Sequence, residues 1–124
     1  MTLEKCVQAY KAVEQLMGEE FDYKSALALF NLKKDLQNAV DFYASEELKL
    51  IEELASRDEG GEIKLNSVGQ IIFPDTDKAQ AFRARRDELG KTDYPDLGIR
   101  EVKAPAKIRP SLLYALSGFI TFVE

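Results

Sequence analysis

Apolar residues recur at spacings of three and four along most of the first half of the chain, and the longest such stripe predicts one helix over residues 24–57. Leu29, Leu32, Leu36, Ala39, Val40, Tyr43, Leu50 and Leu54 fall on one face, with no Pro or Gly between them. At about 1.5 Å per residue this helix is roughly 50 Å long. A compact chain of this size is only about 35 Å across, from a radius of gyration near 14 Å. The stripe is therefore expected to overshoot its own globule and to be buried by a second copy of the chain, which predicts a homo-oligomer.

Ahead of it, Leu3, Cys6, Val7, Tyr10, Val13 and Leu16 or Met17 predict a shorter amphipathic helix, with Thr2 as N-cap and Gly18 just past its end. The short link through Phe21 makes the two helices an antiparallel hairpin, and Asp22 is the expected cap of the second. After Gly60 and Gly61 the period changes. Residues 62–66 and 70–73 flank Gly69 as a β-hairpin that Pro74 ends. Asp75, Thr76 and Asp77 open a third helix running to Leu89 and closed by Gly90. Residues 97–103 suit an edge strand broken by Pro105. Pro110 sits at the first position of a last short helix, and residues 119–123 alternate as a final strand. The expected fold is α+β: an antiparallel pair of long helices, then a small antiparallel sheet with two short helices. The chain reads as a single domain over 1–124, with the helical hairpin in 1–57 and a small α+β part carrying a ligand pocket in 58–124.

Composition narrows the function. Seventeen Lys and Arg against twenty-two Asp and Glu give a net charge of −5, which argues against a DNA, RNA or anionic-membrane binder that depends on a basic field. No stretch has the length and apolarity of a membrane span or a secretory signal, so the chain is expected in a cytoplasm. The lone Cys6 reads as a small buried hydrophobe. The sequence has no histidine, and it shows no Gly-rich phosphate loop, Cys pair or nucleophile elbow. A binding protein without cofactor or metal is expected, rather than an enzyme.

Four residues stand out. Lys24 falls in the first turn of the long helix, where a cation opposes the dipole; it is either a tolerated surface lysine or part of an anion site with the helix N-terminus. Arg57, at the other end, suits the dipole without needing a function. Phe82 is the one large hydrophobe among Arg83, Arg85 and Arg86, and is either a core anchor or a ring that stacks on a base beside a phosphate. Arg109, ahead of Pro110, either pairs with a carboxylate or holds a phosphate at a helix start.

Two N-terminal helices, a Gly-rich turn into a hairpin, and the placement of Lys24, Arg57, Phe82 and Arg109 together resemble the Thoeris anti-defence family of phage proteins. The resemblance implies that Phe82 stacks on the adenine of glyco-cyclic ADP-ribose, the immune signal of TIR-domain proteins, and that Arg109 holds its pyrophosphate. It also implies a hexameric trimer of dimers that sequesters the signal uncleaved in the infected bacterial host. Lys24 and Arg57 would then serve a second site, for cyclic trinucleotides of CBASS immunity. Roughly 50 Å of helix between these two places any site using both between chains. Two other classes compete: a phage assembly protein that binds a protein partner through its long helices, and a weak hydrolase or lyase of the same signal.

Overall fold

A computed structural model describes residues 1–124 and gives an α+β chain. In order, it contains α1 (Leu3–Leu16), α2 (Tyr23–Leu54), α3 (Thr76–Gly90), β1 (Arg100–Lys103), α4 (Pro110–Leu116) and β2 (Ile120–Val123). The N-caps expected from the sequence form as hydrogen bonds. The Thr2 hydroxyl accepts from the Lys5 N–H at 3.3 Å, Asp22 from Ser25 at 2.8 Å, and Asp75 from Lys78 at 2.8 Å. Each satisfies one of the N–H groups that a helix start leaves without an intrahelical acceptor.

The long helix ends at Leu54, so Arg57 lies three residues beyond it rather than in its last turn. Over 32 residues α2 still measures about 48 Å. Its stripe, however, is covered from within the chain. α1 packs along the first half of α2, burying Leu29, Leu32, Leu36 and Ala39. α3 runs back along the second half and packs Phe82 on Leu50 and Leu54. The two shorter helices meet end to start: the Leu3 N–H donates to the Thr92 carbonyl at 3.0 Å, and the Tyr94 N–H to Met1 at 2.8 Å. Together they act as one interrupted helix antiparallel to α2. The buried stripe is therefore covered within one chain and does not by itself call for a second copy. Ala9 and Ala12, both buried, supplement the expected stripe of α1.

The sheet corrects the expected topology. β1 and β2 pair in parallel, with Arg100 opposite Ile120 and Lys103 opposite Val123. Antiparallel pairing needs a reversing turn, whereas Pro105 and α4 make the connection a crossover, which delivers the chain back to the same end of β1. Gly98, at φ +81°, turns the backbone out of strand geometry and delays β1 to Arg100.

The central hairpin is present only as isolated antiparallel bridges, Leu65 with Ile71 and Arg57 with Ile63. Its donors are shared among three segments. The Ser56 N–H donates to Ile72 at 2.8 Å, Ile72 to Lys64 at 3.0 Å, and Lys64 back to Ser56 at 2.9 Å. This closed triangle prevents either pair from extending into a ladder. Gly69, at φ +82°, forms the expected turn, and the Asn66 carboxamide oxygen accepts from Val68 and Gln70.

Candidate functional site

The sequence expectations converge on arginine, and the fold sorts the six arginines by what they touch. Arg57 donates to the Gly61 carbonyl at 2.8 Å and the Glu52 carbonyl at 3.4 Å. It thereby closes the end of α2 onto the loop that follows. Arg85 reaches Glu53 on α2 at 2.8 Å; that hydrogen bond lowers the Glu53 carboxyl and raises the guanidinium. Arg100, on β1, pairs with Asp35 on α2. Arg86 Nε lies 3.0 Å from Glu47 Oε2 but directs its N–H at the Tyr43 hydroxyl, 3.4 Å away. The Tyr43 contact, followed by the Glu47 charge, holds Arg86 firmly protonated. Arg83 and Arg109 alone have neither a carboxylate nor a carbonyl partner. Both line cavities.

Arg109 caps α4 in extended geometry with no side-chain cap of its own. Its side chain borders a cavity of about 560 Å³ with Lys107, Ile108 and Leu112 on one side and, on the other, Gln15 and Leu16 from the end of α1 and Glu19 from the turn after it. The volume is typical of small-molecule pockets, which run from about 300 to 1,000 Å³. Lys107 adds a second cation that sequence reasoning passed over, although it lies two residues from Arg109.

Phe82 is only 8 % exposed. Its ring packs on Leu50 and Leu54 and lies 5.1 Å from the Phe73 ring at a tilt of 38°. The Arg86 guanidinium carbon is 6.0 Å from its centroid, at the outer reach of a cation–π contact. Phe82 is thus the anchor of α3, and the little of it left exposed lines a cavity of about 450 Å³ between α3 and the Gly69 turn. Phe82 and Arg109 line different cavities within one chain.

Lys24 is exposed in the first turn of α2 and makes no ion pair. Its charge is one of the weaker influences lowering the neighbouring Asp22 carboxyl, after the Ser25 hydrogen bonds. With Arg57 beyond the far end of α2, the two are not brought together in one chain. No three His, Cys, Asp or Glu side chains converge as a metal site, and no helix is long and apolar enough to cross a membrane. No family model, curated protein or solved structure matches the chain.

Tyr43 and Glu47 hold Arg86, whereas the sequence marks Tyr43 only as part of the apolar stripe of the long helix and Glu47 only as a solvated acid. Their spacing of four places them on successive turns of one α2 face, continuing toward Leu50 and Leu54. That register was the available signal, but it marks a packing face and not the arginine that docks there.

Proposed function

We propose that the chain is a non-catalytic sponge that binds glyco-cyclic ADP-ribose and withholds it from TIR-domain immunity in the cytoplasm of a phage-infected bacterium. One observation carries this reading: of six arginines, the two without a partner each face a cavity of ligand size. An arginine unpaired in a partly apolar cleft keeps all five donors for an incoming phosphate, and it need not break an internal ion pair first. Arg109 is the residue assigned to the pyrophosphate and Phe82 the aromatic wall.

Because these two line different cavities, a ligand touching both is shared between chains, and the sponge works as a homo-oligomer, dimer to hexamer. Supporting self-association, Tyr23, Leu27 and Phe30 are exposed at i, i+4 and i+7 on the outer face of α2. A second site for cyclic trinucleotides, using Lys24 and Arg57, belongs to the same reading as one shared between subunits, and there Arg57 must exchange its carbonyl partners for phosphate.

The exposed α2 face also favours a second reading, a phage assembly protein that docks a protein partner there. Incubating the protein with glyco-cyclic ADP-ribose, heat-denaturing it and assaying the supernatant separates the readings. Depletion followed by recovery of intact signal is the sponge outcome. Destroyed signal indicates an enzyme, and signal that is never depleted leaves the assembly reading. Light scattering of Phe30→Lys beside the native chain tests self-association, with a smaller assembly expected.

A further inference from the structure

The cavity beside Phe82 does not end at α3. A second cavity of about 290 Å³, at the junction where α3 meets the start of α1, shares Arg83 and Arg86 with it. The two hollows adjoin at these two arginines. Their linings differ in chemistry. On the hairpin side stand Phe73, Phe82 and Ile71, with Gln70 at the turn. On the junction side stand the Tyr43 hydroxyl and the carboxylates of Glu4 and Asp87.

We infer that this groove is itself a nucleotide site within a single chain, with Arg83 as the group that holds the phosphate. The inference rests on the nucleotide-binding reading above and relocates its anion contact. Arg86 is committed to Tyr43 and Glu47, so its position is fixed and its charge largely answered. Arg83, one turn earlier, is exposed and has no acid partner, and it stands where both hollows open. A guanidinium left unneutralised between an aromatic wall and a cluster of hydrogen-bond acceptors matches a ligand with three parts in that order. A heterocycle lies against Phe73 and Phe82, an anionic phosphate sits at Arg83, and ribose hydroxyls donate to the carboxylate end, as they do to acidic residues in dinucleotide sites. Lys91 Nζ lies 2.9 Å from Asp87 Oδ2 at this end of the groove.

The test is titration calorimetry with glyco-cyclic ADP-ribose on the native chain, Arg83→Gln, Arg85→Gln and Arg109→Ala, with matching thermal melts. Arg83→Gln is expected to weaken binding at least thirtyfold and to flatten its salt dependence. Arg85→Gln, whose charge is already spent on Glu53, is expected to stay within threefold. Native-like binding by Arg83→Gln overturns the inference; if Arg109→Ala then abolishes binding, the sponge reading survives with its anion at Arg109. A native chain that binds none of the ligand overturns both.

Discussion

Gly90 and Glu4 touch across the junction of two helices: a Cβ built on Gly90 would stand 3.4 Å from the Glu4 Cβ. Gly90 is the last residue of α3 and is buried, and its φ is not in the left-handed region. Backbone conformation therefore does not demand glycine here, and the room beside it is limited to about a methyl group. Ala is expected to be tolerated, since its methyl meets an ordinary contact and helix propensity favours it by about 0.8–1 kcal/mol. Leu must push α1 away from α3 and is expected to lose about 1–3 kcal/mol. Urea denaturation of both variants checks the split.

Asp35 and Arg100 tie α2 to β1, and they are unequally exposed: 47 % for the carboxylate side chain and 21 % for the guanidinium. Arg100 Nη1 is buried without a partner. Removing the acid therefore strands a charge that water reaches poorly, whereas removing the base leaves an acid that water reaches well. Asp35→Ala is expected to cost about 2–3 kcal/mol and Arg100→Met less than about 1 kcal/mol, once partial exposure is discounted. Equal losses in chemical denaturation would contradict this asymmetry.

Phe82→Ala is expected to lose about 3–5 kcal/mol of stability, as for other buried aromatic truncations, because the ring is the main anchor of α3 on α2. Any binding defect in that variant mixes lost contact with lost structure. Phe82→Leu retains much of the volume and removes only the aromatic face. Melting curves should therefore separate the two variants, and only the leucine variant should be used to weigh stacking.

Asp22 gives the fold a definite acid edge. The Ser25 N–H, foremost among its influences, pulls its carboxyl below the usual range. A folded-state value below the unfolded one, about 3.9, stabilises the protein above that pH, and the contribution is lost as pH falls through the lowered value. Ser25 also accepts the Lys103 N–H at 2.8 Å, so the start of α2 and the end of β1 should loosen together. Asp22→Asn keeps a capping oxygen that does not titrate in this range. The native-minus-variant difference in stability, followed by circular dichroism from pH 7 to pH 2, should be flat at first and then fall below about pH 4.

Local signals in the sequence were largely sufficient for the helices. Caps at Thr2, Asp22 and Asp75 and the proline of α4 act through neighbouring atoms, so residue order alone exposes them. What covers the α2 stripe was not legible, because α3 carries a weakly apolar face and docks through Phe82, Arg85 and Arg86 instead of a second stripe. The direction of β2 depended on how α4 crosses, a global property that the alternation of residues 119–123 does not contain. At the site, the position of Arg109 before Pro110 put it at the start of α4, but the cavity that it borders depends on where α1 ends. The distinction between Arg83 and its neighbours was not legible either, since it depends on where Glu47 and Glu53 project from another helix.

The interrupted partner of α2 leaves two unequal regions of packing. Fourteen buried residues hold the α1 half, whereas Leu50, Leu54 and Phe82 are the buried core of the other. Amide protons in the distal half should consequently exchange with solvent through partial opening well before the rest of the molecule unfolds. The hairpin-side cleft beside Arg83 lies along that more labile section, so a guest lodged there would slow exchange chiefly from Leu50 onward, and the breathing of the distal half would report occupancy.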